Sequence, residues 1–213
     1  MGSMRLIALA IGYAFGLILS GYLFGKKNDV DIRKQGSGNI GTTNTMRILG
    51  IKVGALTLVC DCLKCVAAVV VVYVLFHNAY PDHIVLLELY GAIGAILGHD
   101  FPFFMKFKGG KGIACSFGMI VALFPQCLPI CVLIFILVVA LTRYVSLGSI
   151  LAVLALMAQV WIFGAKGWLR FDVSDVLEAQ ILVSFVCILA IVLHRSNIKR
   201  LLHGNENKFS FKS

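Results

Sequence analysis

Charge is scarce in this 213-residue chain. Asp, Glu, Lys and Arg make up 14 % of it and hydrophobic residues 60 %, with a mean hydropathy of +0.94. A soluble domain holds about a quarter charged residues, so a water-soluble globular protein is excluded and an integral membrane protein is implied. Acidic residues are scarcer still, ten against 19 basic ones, for a net charge of +9. No His, Asp and Glu cluster stands at metal-ligand spacing, although Asp29, Asp31 and Asp100 lie in or beside polar loops; no metal and no cofactor are expected. Also missing are internal repeats, low-complexity tracts, heptads and any polar stretch long enough for a soluble module. The expected organisation is therefore one polytopic membrane domain over residues 1–213, with Met1-Gly2-Ser3 before Met4 read as an expression scar. No small-residue cleavage pattern follows the first apolar run, which is taken as a retained helix. The basic balance suits cytoplasmic loops and anionic substrates, and nucleic acid is not expected as a partner. Of seven cysteines, Cys60, Cys62, Cys65, Cys131 and Cys187 fall inside apolar runs, with Cys115 and Cys127 near run ends. They read as small buried hydrophobes, and Cys62-x-x-Cys65 lacks the second pair or histidine of a metal site.

Apolar runs cover 4–24, 53–77, 84–104, 113–125, 127–142, 146–163 and 176–194. A membrane-spanning helix needs about 20 residues, so the fold class is all-α, a compact bundle of about seven transmembrane helices. The fourth and fifth runs are short and meet at Pro125-Gln126-Cys127-Leu128-Pro129, where a single bent helix and a total of six is the alternative. With seven crossings and an outer N-terminus, one side collects fifteen basic residues and the other only Arg5, Lys166 and Arg170. The positive-inside rule assigns the rich side, and with it the C-terminus, to the cytoplasm.

Polar motifs gather in loops on that side. Gly36-Ser37-Gly38-Asn39-Ile40-Gly41-Thr42-Thr43-Asn44-Thr45-Met46-Arg47 alternates glycines with short donor side chains and ends on an arginine. Backbone N–H, hydroxyl and amide groups there can wrap an oxyanion while a guanidinium binds it bidentately. Gly98-His99-Asp100-Phe101-Pro102 runs on to Phe107-Lys108-Gly109-Gly110-Lys111-Gly112. Its glycines and lysine fit a phosphate cradle, and taken alone fit equally a basic loop that orients the chain. His194 and Asn197 stand one helical turn apart where the last helix leaves the membrane, in reach of a site or simply interfacial. Ser146, in Tyr144-Val145-Ser146, is a helix N-cap or a ligand contact, and capping is the simpler role. Inside the second run, Asp61 and Lys64 share one helix face. They form either a self-satisfying ion pair or a lysine directed at the basic site.

Together the three motifs, the third being His194-x-x-Asn197-Ile198-Lys199-Arg200-Leu201-Leu202-x-Gly204-x-Glu206, resemble the bacterial acyl-phosphate:glycerol-3-phosphate acyltransferases, the PlsY family. The similarity covers most of the chain, with departures: Leu17-Ile18-Leu19-Ser20-Gly21 lacks that family's proline, and Cys115 replaces a frequent threonine. The resemblance implies a seven-helix bundle in the bacterial cell membrane with its active-site loops on the cytoplasmic face, able to work as a monomer among membrane lipid. It implies transfer of an acyl group from acyl phosphate to the 1-hydroxyl of glycerol 3-phosphate, releasing phosphate and lysophosphatidic acid. Under it, Ser37, Gly38, Asn39, Asn44 and Arg47 bind acyl phosphate; Gly109, Gly110, Lys111 and Ser146 bind glycerol 3-phosphate; His194 and Asn197 bind and polarise the attacking hydroxyl. The rival from another class is a small-anion transporter. Such transporters commonly show repeated halves and broken helices at the membrane midplane, whereas here the polar motifs lie at one interface.

Overall fold

The structure, a computed structural model, describes residues 2–209, and every regular element among them is helical. The chain divides into two compact units that meet in sequence between Leu123 and Phe124.

The first unit holds α1 (Gly2–Gly16), α2 (Ser20–Lys27), α3 (Thr42–Leu49), α4 (Ile51–Phe76), α5 (Ile84–Asp100) and α6 (Ile113–Leu123). Its centre is the pairing of α1 with α5. A Cβ on Gly12 would strike Gly91 O, one on Gly16 would strike Ala95 O, and one on Gly94 or Gly98 would strike Leu9 O or Tyr13 O. Lipid supplies no hydrophobic drive to bring helices together, so close backbone approach through small residues is what holds such a pair. At one end, Ala8, Val72 and Leu87 pack with Tyr80 and Tyr90. At the other, Leu19, Ile32, Ile40 and Met105 form a second cluster with Tyr22 and Ile48. That cluster seats the first polar loop and the 101–112 loop on the same apolar support, because Met105 belongs to one and Ile32 and Ile40 to the other. The first apolar run breaks at Leu17–Leu19 without a proline, giving α1 and α2 as two pieces of one span.

The second unit holds α7 (Leu128–Thr142), α8 (Val145–Ala165), α9 (Val176–Leu193) and α10 (Arg195–Leu202). Gly148 lets α8 approach Phe135 and Val139 of α7. Gln180 donates to the carbonyls of Val160 and Trp161, and Trp161 Nε1 donates to Ser184 Oγ at 2.9 Å, so α8 and α9 also bond through side chains.

Among the described residues six segments are long and apolar enough to cross a membrane: Gly2–Lys27, Ile51–Phe76, Pro81–Met105, Pro125–Thr142, Val145–Ala165 and Val176–Leu193. The remaining run becomes α6, whose 11 residues rise roughly 17 Å against a hydrocarbon core of about 30 Å. The bent-helix alternative does not form. Phe124 takes φ −130° and ψ 46°, and Pro125–Cys127 is a separate 3₁₀ turn, because the residue before a proline is pushed out of the helical region. Among the described residues there are thus seven apolar helical segments, six of them long enough to cross a membrane.

Candidate active site

In the first loop, Gly36 and Gly38 take positive φ, 59° and 71°, and turn the chain around the side chain of Asn44. That amide is fully engaged: Oδ1 accepts from Ser37 N at 2.9 Å, and Nδ2 donates to the carbonyls of Asn39 (2.8 Å), Ile32 (3.1 Å) and Gln35 (3.2 Å). Asn39 in turn accepts from Gly41 N at 2.8 Å. Both asparagines therefore hold the loop's shape, while Ser37 and Arg47 are exposed and the Arg47 stem lies beside Gly36. Arg33 is committed elsewhere. Its guanidinium grips Asp31 at 2.8 and 2.9 Å, and that hydrogen bonding holds the Asp31 carboxyl down at about 2. Charge neutralised in this way leaves Arg47 as the loop's guanidinium for an incoming anion.

The second loop uses its glycines differently from the expected cradle. Gly109 N donates to Asp100 O and Gly110 N to His99 O, both at 3.0 Å. These two N–H groups satisfy carbonyls that the end of α5 leaves without helical partners, and no side chain fits at either position. A Cβ on Gly109 would meet the His99 carbonyl, and one on Gly110 would fall on His99 Nε2. Gly112, at φ 69°, then turns the chain into α6. Lys111 is half-buried between these turns.

Behind this loop lies a buried polar cluster. Lys64 Nζ reaches Ile18 O (2.7 Å), Gly16 O (3.3 Å), Asp61 Oδ1 (2.9 Å) and His99 Nδ1 (2.9 Å), and Ser20 Oγ donates to Asp61 Oδ1 at 3.0 Å. Of the two readings left open for Asp61 and Lys64, this geometry realises the ion pair, with an addition. The ammonium also caps the break between α1 and α2, supplying the donors that a proline-free break needs. Its reach to His99 was not legible in the sequence, since 35 residues separate the two.

The second unit holds the other group of candidate residues. His194 sits between α9 and α10, 4 % exposed, with Nδ1 at 2.7 Å from Ala190 O. A carbonyl only accepts, so Nδ1 carries a proton and donates it to Ala190 O. Asn197 follows in the first turn of α10, 8 % exposed. Ser146 does not cap α8, because it already lies inside the helix; Thr142 Oγ1 accepts from Tyr144 N at 3.1 Å instead. Its hydroxyl donates to Glu206 Oε1 (3.2 Å), which also accepts from Asn197 Nδ2 (2.8 Å), while Glu206 Oε2 accepts from Arg200 Nε at 2.7 Å. Glu206 therefore ties Ser146 to Asn197. It closes the third motif, yet sequence reasoning gave it no role. Gly204, at φ 69°, returns the tail so that Phe209 N reaches Arg143 O at 2.7 Å. All seven cysteines are free, and among the described residues no three His, Cys, Asp or Glu are grouped to hold a metal ion.

Comparison with known proteins identifies the family. The family model for glycerol-3-phosphate acyltransferase matches residues 6–204. A glycerol-3-phosphate acyltransferase of Trichlorobacter lovleyi is 41 % identical over 94 % of this chain and 95 % of its own length. One from Geobacter sulfurreducens is 39 % identical over 96 % and 97 %. Among solved structures, crystal structures of PlsY, an integral membrane glycerol 3-phosphate acyltransferase, superpose on 97 % of this chain and 96 % of theirs. The glycerol 3-phosphate form has a TM-score of 0.81 at 32 % identity and the lysophosphatidic acid form 0.79 at 30 %. The chain belongs to the glycerol-3-phosphate acyltransferase family.

Proposed function

We propose that this chain transfers a fatty acyl group from acyl phosphate to the 1-hydroxyl of sn-glycerol 3-phosphate, the first acylation of phospholipid synthesis. The hydroxyl oxygen attacks the acyl carbon, the bond from that carbon to the phosphate oxygen breaks, and the hydroxyl proton passes by way of His194 to the departing phosphate. Lysophosphatidic acid and phosphate are the products. Because the donor is already an activated mixed anhydride, the protein's task is to hold two anions, orient one hydroxyl and stabilise developing charge. No cofactor is needed.

The observation that carries this reading is the His194 Nδ1 bond. With Nδ1–H held by Ala190 O, any exchange of a proton with the hydroxyl falls to Nε2. His194 and Asn197 act on that hydroxyl. Arg47, Ser37 and Gly38 bind acyl phosphate, with Asn39 and Asn44 shaping the loop that presents them. Lys111 and Ser146 bind the phosphate of glycerol 3-phosphate, and Gly109 and Gly110 set where Lys111 stands. The transporter rival finds no support, since Lys64 is engaged by Asp61 Oδ1 and by the Ile18 carbonyl at the α1–α2 break. We place the protein in the bacterial inner membrane with the three motif loops and C-terminus cytoplasmic, as one membrane domain active as a monomer.

Purified protein with labelled glycerol 3-phosphate tests the donor. Turnover is expected with synthetic acyl phosphate and not with acyl-coenzyme A or acyl-carrier thioesters, for the small glycine-bearing loops suit a bare phosphate. Robust activity with a thioester and none with acyl phosphate would overturn the proposal.

A further inference from the structure

We infer that His99 is an additional phosphate-binding residue of the Lys111 loop, presenting an Nε2–H whose position is set by Lys64; the inference rests on the acyltransferase reading above. His99 is 3 % exposed and belongs to the last turn of α5. Its Nδ1 lies 2.9 Å from Lys64 Nζ, which lies 2.9 Å from the Asp61 carboxylate. An ammonium donates and never accepts, so Nδ1 accepts and the ring proton is on Nε2. Asp61 Oδ1, 3.8 Å from Nδ1, is too far for a hydrogen bond that would reverse this choice.

Nε2 faces the second polar loop. A Cβ on Gly110 would fall on it, so glycine at this position opens a notch that the imidazole edge fills. Gly110 N is already given to His99 O, which means that Gly110 does not itself offer an N–H to an anion. Among the described residues nothing accepts from Nε2. An anion held by Lys111, the next residue along, lies on the side of the ring that carries this donor and gives it a charged acceptor. The Asp61–Lys64 pair then has a second task besides capping the helix break: it holds the His99 ring proton on the loop side.

The test uses intact protein in one lipid or detergent phase. Nitrogen-15 histidine spectra of the wild type should show His99 as the neutral Nε2–H tautomer, with Nε2 shifting when inorganic phosphate or glycerol 3-phosphate is added. The double variant Asp61→Asn/Lys64→Met, which removes both charges together, should populate the other tautomer. His99→Asn keeps an acceptor near Nδ1 but loses the Nε2 donor. It should melt like the wild type and raise the KM for glycerol 3-phosphate roughly 10- to 100-fold with kcat little changed, the loss expected for one hydrogen bond to a charged group. An Nδ1–H tautomer, an Nε2 signal indifferent to both ligands, or wild-type KM in folded His99→Asn would each overturn the inference. Should His99→Asn fail to fold, the wild-type spectra decide alone. Failure of the wild type to turn over with acyl phosphate would instead sink the acyltransferase reading, with the spectra still judging His99.

Discussion

His99 and His194 are both buried, and each engages a neighbour through Nδ1, an ammonium that can only donate in one case and a backbone carbonyl that can only accept in the other. The same atom thereby takes opposite roles, accepting in His99 and donating in His194. Kinetics should separate anchoring from chemistry in the same way. Lys111→Ala removes a phosphate contact remote from the reacting hydroxyl, so KM for glycerol 3-phosphate should rise while kcat holds. His194→Ala should lower kcat roughly a hundredfold or more, with melting checked because the variant also loses the bond to Ala190. Near wild-type kcat in folded His194→Ala would remove the histidine from the reaction and leave the departing phosphate as the base, with Asn197 positioning the hydroxyl.

At the scale of elements, apolar runs and turn residues fixed most boundaries, and each exception has a local cause. The fourth run stops at Leu123 and not at Pro125 because Phe124 precedes a proline. The first run splits at Leu17–Leu19 although it lacks a proline, since the capping donor comes from Lys64, 46 residues beyond Ile18. The roles of Gly109, Gly110 and Glu206 depended on which carbonyls and side chains lay opposite, and spacing alone does not encode that. The α1–α5 contact was within reach of spacing. Gly12-x-x-x-Gly16 and Gly94-x-x-x-Gly98 are small-residue patterns of the kind that bring helices to backbone contact. Gly12→Leu or Gly94→Leu should therefore destabilise the protein by at least about 1–3 kcal/mol, the usual cost of overpacking, read as a lower melting temperature and poor recovery. Gly2→Leu, at a position with nothing within 4 Å of a Cβ, should do neither.

For the whole molecule the decisive quantity is the number of crossings, and α6 decides it. If α6 does not cross, the loop before it and the loop holding Arg143 fall on opposite sides, and the basic residues divide eleven to seven instead of fifteen to three. The positive-inside rule favours the steeper division, so α6, short as it is, should act as a crossing, with bilayer thinning or snorkelling of flanking residues covering its deficit. Single cysteines introduced into a background lacking the seven native ones give the measurement. A membrane-impermeant thiol reagent applied from outside intact cells should label a cysteine in the loop of Lys166 and Arg170. It should not label one near Ser37, near Lys106 or in the tail after Leu202. Protection of the Lys166 loop together with labelling of the tail would mean six crossings, would separate His194 from the side that holds Arg47 and Lys111, and would leave the proposed reaction without its hydroxyl-binding pair on the side of its phosphate anchors.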